Sequence, residues 1–323
     1  MDNYRYILER SSKKYNCPGC NQKKFTQYID TINNEYLSDQ VGKCDRENHC
    51  CYHYTPKQFF SDNSNSVNHS NNWQQKKQIQ VINRPIDYLP IDLLEKSIYH
   101  NEQCNLFPFF ERLFRKDAAK LLCEKYFIGT NRDGNTVFWQ VDFKGEIRQA
   151  KVIQYNPTSG KRNKETGVLF AGKKILYKND ANLQQCFFGE ILLALTENKG
   201  KAVAIVESEK TAAIASIYYP DFIWLATGGK HGCKWTEKSV SNVLEGRQVI
   251  LFPDLGAYDS WMDKGKLLVK VTGCKVVVSD VLEKNSNDIE KNDGLDLADY
   301  LLRVQDSSGL ALTDYEYPVI WDL

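Results

Sequence analysis

The sequence predicts an α/β protein in which a parallel, Rossmann-like sheet follows a mixed α+β segment and a small metal-bound N-terminal unit. Three observations carry that expectation. From Gly189 to Val304 short apolar runs alternate with helix-like ones, the order that a parallel, doubly wound sheet requires. Two of those runs end in a carboxylate, VAIVE at Glu207 and QVILFPD at Asp254, and a third acidic motif, DGLDLAD, follows. Cysteines crowd residues 1–60, where long apolar runs are few.

Residues 1–60 form the first expected domain. Cys17-Pro18-Gly19-Cys20 is a tight knuckle that brings two thiolates to one cation, with Gly19 permitting a left-handed turn. Cys44, then Cys50 and Cys51 with His49 and His53 beside them, supply the second knuckle. A unit this small, with little core, needs a metal in its place. Structural Zn²⁺ held by Cys17, Cys20, Cys44 and Cys50 is expected, with Cys51 or His53 open as substitutes for Cys50. Phe25, Tyr28, Tyr36, Tyr52 and Tyr54, with Lys23, Lys24 and Lys57, surround the knuckles. Such a face either stacks single-stranded bases or completes a small core. Residues 61–84, dominated by Ser, Asn and Gln, read as a polar linker.

Residues 85–200 form a mixed segment. Leu93, Leu94 and Ile98, then Phe109, Phe110, Leu113 and Phe114, recur at helical spacing. TVFWQVD and EIRQAKVIQYN read as strands joined by a turn at Lys144 and Gly145. After a loop from Ser159 to Glu165, KKILY is expected as a further strand and GEILLALTEN as a helix. Residues 201–305 carry the alternation proper. KAVAIVE, DFIWLAT, QVILFPD and CKVVVSD are its strands; SEKTAAIASIYY, Ser239 to Leu244, Tyr258 to Thr272 and LDLADYLLRV are its helices. Gly228 and Gly229 make a tight turn, and residues 306–323 form a tail. Cys104, Cys123, Cys186, Cys233 and Cys274 fit small buried apolar side chains.

Composition sets limits. Lys and Arg total 42 against 41 Asp and Glu, so nucleic-acid binding rests on local patches and not on bulk charge. No apolar run approaches the roughly 18 residues of a membrane span. The start, MDNYRYILERSSKKYN, lacks the apolar core of a secretory signal, so a cytoplasmic protein with reduced thiols is expected.

KAVAIVESEKTA, LATGG, QVILFPD and DGLDLAD, in that order, resemble the Toprim domain shared by bacterial replicative primases, topoisomerases and some nucleases. The cysteine knuckles, and the basic stretch FKGEIRQAKVIQYNPTSGKR with KKILY, extend the resemblance to the primases over most of residues 15–303. The overall look is that of a zinc-ribbon plus Toprim, primase-like protein of bacterial mobile elements, particularly those of Bacteroidetes. The resemblance implies a nucleotidyltransferase that acts on single-stranded DNA with nucleoside triphosphates and has a replicative helicase as a partner. It assigns Glu207 as general acid/base or metal carboxylate and Asp254 as the first aspartate of an Asp-x-Asp pair. Asp296 and Asp299 become the terminal acidic motif, so that Glu207, Asp254, Asp296 and Asp299 hold Mg²⁺ or Mn²⁺. Lys210 joins the catalytic set, and Arg148, Lys151, Lys161 and Arg162 contact phosphate. The chain departs from the pattern at Gly256, where the second aspartate of the pair belongs; Asp259 is the nearest acid. That departure keeps a non-catalytic DNA-binding accessory protein in view. A Toprim nuclease is the third reading, weakened by the lack of a GxxxxGK(S/T) loop.

Overall fold

The computed structural model describes residues 4–9, 11, 13–46, 50, 52–62, 84–229, 232–286, 290 and 294–308. The chain divides into two compact units, Met1–Ile82 and Asn83–Leu323.

The first unit is a small antiparallel sheet built from β1 (Tyr6–Leu8), β2 (Tyr15–Asn16), β3 (Lys23–Asp30), β4 (Gly42–Cys44) and β5 (His53–Tyr54), followed by helix α1 (Pro56–Asp62). The strand order is β1-β3-β4-β5, with β2 also paired to β3. Its buried centre is Phe25 with Cys17 and Cys44, and Tyr52 packs edge-on against Phe25 at 5.7 Å. So small a core cannot offset the chain entropy alone, which is why the cysteines matter to this unit.

The second unit opens with α2 (Ile91–Tyr99), α3 (Phe107–Phe114) and α4 (Lys116–Lys125). The aromatic stripe of α3 is core: Phe107, Phe109, Phe110 and Phe114 are all buried. Next comes an antiparallel sheet in chain order, β6 (Ile128–Thr130), β7 (Thr136–Val141), β8 (Ile147–Ile153) and β9 (Val168–Phe170), then the short α5 (Gly172–Ile175). The β7–β8 turn is held by Asp142, whose Oδ1 accepts the Lys144 and Glu146 N–H groups.

The expected alternation follows as β10 (Val203–Val206), α6 (Glu209–Tyr218), β11 (Ile223–Ala226), α7 (Lys238–Ser241), β12 (Gln248–Leu251), α8 (Tyr258–Thr272), β13 (Lys275–Val278), α9 (Val281–Asn285) and α10 (Leu297–Ser308). The four strands are all parallel, in the order β11-β10-β12-β13. Every residue of β10 is buried, as a central parallel strand demands. Segments 85–200 and 201–305 share one hydrophobic core, in which Phe138 and Phe188 from the first meet Trp224 and Ile205 from the second. Tyr126 seals that junction by donating its hydroxyl to the Trp224 carbonyl at 3.2 Å.

Two expected elements differ. KKILY is no strand: Gly172 to Ile175 form a helical turn, started by the Gln149 side chain, which accepts the Gly172 N–H at 2.7 Å. The preceding VLF takes the place beside β8 instead. GEILLALTEN is two 3₁₀ turns, Glu190–Ala194 and Thr196–Asn198, broken at an extended Leu195. Glu190 fixes their start by accepting the Phe143 and Phe187 N–H groups, contacts that apolar periodicity does not report. Among the described residues no helix is long and apolar enough to cross a membrane.

One buried ion pair joins the two sheets. Lys151 on β8 donates to both carboxylate oxygens of Glu209, at 2.8 and 2.7 Å, and to the Gly228 carbonyl at 2.9 Å. Their side chains are only 8% and 2% exposed. Removing one partner strands the other charge in the interior. Lys151→Met is expected to lower unfolding free energy by about 3–5 kcal/mol. Urea melts measure it, and Glu209→Gln added to that variant is expected to return part of the loss.

Candidate functional site

The cysteine cluster is the tighter of two candidate centres. The Cys17–Cys20 knuckle closes through the Asn21 N–H donating to the Cys17 carbonyl at 2.8 Å. Its left-handed residue is Asn21, with φ of 54°, and not Gly19 as the sequence suggested. Gly19 serves for room instead, since a Cβ there would stand 3.1 Å from the Tyr52 ring. The Sγ atoms of Cys17, Cys20, Cys44 and Cys50 all lie within 4.8 Å of one another. Four thiolates with no gap in the set suit a closed, tetrahedral Zn²⁺ site of the structural kind. His53 turns elsewhere: its ring stacks on Tyr28, and its Nε2 lies 3.0 Å from the Tyr28 hydroxyl. Cys51 and His49 lie outside the described residues.

The second centre sits at the C-terminal edge of the parallel sheet. Strands β10 and β12 are neighbours and run the same way, so Glu207 and Asp254, just past their ends, emerge on one edge. Asp296 enters from the position immediately before α10. Its Oδ1 accepts the Asp299 N–H at 2.9 Å and its Oδ2 accepts the Thr211 hydroxyl at 2.7 Å, so it caps one helix and grips another. Glu207, Asp254 and Asp296 line a cleft of about 430 Å³, with Tyr155, Arg162 and Lys210 on its walls. The glycine turn after β11 supports the first of them. Gly228 and Gly229, at φ of 84° and 82°, both donate N–H groups to the Glu207 carbonyl, at 2.9 and 3.1 Å. Lys230 and His231 lie outside the described residues.

The charges here repel. Burial, then Glu207, Asp296 and Asp299, push the Asp254 carboxyl up to about 8. Burial and Asp296 also raise Asp299, against the opposing pull of Lys210 and Lys161. Hard oxygen donors gathered with too little positive charge suit a divalent cation such as Mg²⁺ or Mn²⁺. Among the described residues only the four cysteines close to within 4.8 Å, so the carboxylates form the more open set. Openness agrees with Mg²⁺, which keeps several waters and takes one or two carboxylates.

The expected cations divide. Arg148 is tied to Asp142 through Nε at 2.7 Å and lies over the Tyr88 ring, and Lys151 is spent on Glu209. Lys151 is thus enclosed by protein partners, while Arg148 keeps a buried Nη1 without a hydrogen-bond partner. Arg162 lines the cleft and Lys161, beside it, is exposed. Lys210 also lines the cleft, its Nζ 3.4 Å from the Gly160 carbonyl and 6.0 Å above the Phe109 ring. Glu209, Tyr155 and Thr211 were not singled out from sequence. Of these only Glu209 left a trace, as the second acid of VESEK. At Gly256, φ is 83° and the N–H donates to Glu283 Oε1 at 2.8 Å. Asp259 is exposed on the first turn of α8 and does not line the cleft.

Two family models match this chain. One described as a domain of unknown function (DUF6371) matches residues 104–255, and one described as a zinc beta-ribbon finger matches residues 4–65. A search of curated proteins gave no match. Similar solved structures include the RNA polymerase domain of Mycobacterium tuberculosis primase DnaG, at 12% identity over 69% of this chain and 80% of that one, TM-score 0.41. The primase fragment of the bacteriophage T7 primase-helicase protein is 14% identical over 90% and 100%, TM-score 0.35. The zinc-binding and RNA polymerase domains of the Aquifex aeolicus primase are 12% identical over 93% and 84%, TM-score 0.35.

Two outcomes follow from this geometry. Cys50→Ser is expected to release the zinc that His53→Ala retains, read by metal analysis of the purified proteins. For Asp254, the folded pKa of about 8 exceeds the unfolded value of about 3.9. The folded form therefore holds the proton more tightly, and stability falls as pH rises through that window. Metal-free protein is expected to melt lower at pH 9 than at pH 6. Asp254→Asn is expected to flatten that slope, and added Mg²⁺ to oppose it.

Proposed function

We propose that this chain is a primase-like nucleotidyltransferase of Toprim type, acting on single-stranded DNA with nucleoside triphosphates and Mg²⁺ or Mn²⁺. One observation carries the reading: carboxylates from the ends of adjacent parallel strands, Glu207 and Asp254, line one cleft together with Asp296, Arg162 and Lys210. Bound there, a divalent cation supplies charge for triphosphate oxygens and for the developing negative charge of phosphoryl transfer. Glu207, Asp254, Asp296 and Asp299 would hold it. Arg162, Lys161 and Lys210 offset the remaining phosphate charge, Arg162 with a fork suited to paired oxygens. Glu207 is our candidate to take the proton of the attacking hydroxyl, while Lys151 and Arg148 act through the scaffold. The zinc ribbon would engage the template strand. Work beside a replicative helicase, on a bacterial mobile element and in the cytoplasm, belongs to the same proposal and rests on the motif resemblance.

Gly256 favours a second reading, a DNA-binding accessory protein without turnover, because one acid of the usual pair is missing. Primer synthesis on single-stranded DNA with labelled triphosphates separates the two. Wild type is expected to extend primers with either metal, and Glu207→Gln or Asp254→Asn to lose about 10²–10³-fold in kcat, the scale of a lost transition-state contact. Wild type no more active than Glu207→Gln, with salt-dependent strand binding intact, would establish the accessory role.

A further inference from the structure

The antiparallel sheet has a second groove on its other face. Alternation along β8 separates the two: Lys151 and Ile153 line the carboxylate cleft, whereas Ala150 and Val152 line a groove of about 550 Å³. Its floor is aliphatic, with Val137, Val152, Ala171 and Ile175 beside a half-exposed Leu169. Its rim is cationic, carrying Lys96, Arg132 and Lys174 with His100 at one end, and no carboxylate lines it. Lys96 meets Asp92 one turn away on α2 at 3.3 Å, a solvent-exposed pair of little strength. Trp139 is buried in the floor and donates its Nε1–H to the Ser97 hydroxyl at 3.1 Å. It therefore offers no open ring for a base to stack on. That leaves His100 as the one other aromatic ring in the lining, and a groove poor in stacking surface for single-stranded nucleic acid. An aliphatic floor under a cationic rim suits an acidic segment with large apolar side chains.

The chain contains one. DYEYPVIWDL, from Asp314 to Leu323, joins three carboxylates to Tyr315, Tyr317, Val319, Ile320 and Trp321, and no Lys or Arg follows Arg303. The segment lies outside the described residues. Between Ser308 and Asp314 lie five residues, which can span up to about 20 Å when extended, about twice the spacing of stacked sheets. We propose that Asp314–Leu323 docks into this groove of its own chain, with Asp314, Glu316 and Asp322 meeting the Lys96, Arg132 and Lys174 rim. The proposal is independent of the catalytic reading, since the groove lies on the opposite face from the carboxylate cleft.

Full-length protein carrying benzoylphenylalanine in place of Trp321, irradiated and mapped by mass spectrometry, tests it. Cross-links to residues 130–139 or 169–175 of the same chain are expected, unchanged in yield on tenfold dilution. Arg132→Glu with Lys174→Glu, both at exposed positions, is expected to lower that yield at least fivefold while the melting temperature holds. Cross-links only elsewhere, cross-links between two copies, no cross-link at all, or indifference to the reversed rim would each overturn the proposal. So would photo-cross-linking of a single-stranded oligonucleotide to the groove in place of the segment.

Discussion

The Lys151 ammonium is the contact on which the second unit depends. It carries three hydrogen bonds in a buried setting, two to Glu209 and one to the Gly228 carbonyl. Through Glu209 it fixes the first turn of α6. Through Gly228 it fixes the turn whose N–H groups hold the Glu207 carbonyl. A desolvated ammonium stays favourable only with its partners in position, so the antiparallel sheet, α6 and the glycine turn must assemble together. The orientation of Glu207 in the cleft is thereby set from the opposite sheet.

The two candidate centres use opposite solutions to the same problem of gathering anions. In the first unit four thiolates close on each other and replace a core that the sheet is too small to make. In the second, the carboxylates stay apart, and burial together with like charge raises Asp254 and Asp299. The closed set suits a cation that remains for the life of the fold, and the open one suits a cation that shares its sphere with water and phosphate.

Much of this was legible in the sequence where chemistry and local pattern coincide. Glu207 and Asp254 could be located because each ends an apolar run, and runs that end together in a parallel sheet share an edge. The cysteine knuckles could be paired because tetrahedral metal demands four ligands. What escaped depended on long-range partners. Nothing local says that Lys151 will meet Glu209, 58 residues on, instead of a phosphate. Nor does it say that Arg148 will turn to Asp142. KKILY has strand-like composition, yet Gln149 from β8 captures the N–H of Gly172 just before it and starts a helical turn. Glu190, in the segment that periodicity assigned to a helix, is held by the N–H groups of Phe143 and Phe187 outside it.

Gly256 sits in a turn whose geometry has a consequence for the acids around it. Its positive φ is a conformation that a side chain adopts only at a cost, and its N–H already engages the Glu283 carboxylate. Space is open around it, so crowding would not bar an aspartate. Backbone strain and the facing Glu283 carboxylate would each disfavour one. The loop itself thus disfavours an acidic side chain at this position. Seating an aspartate there at ease would take a new turn and a displaced Glu283, a change of path and not of one side chain.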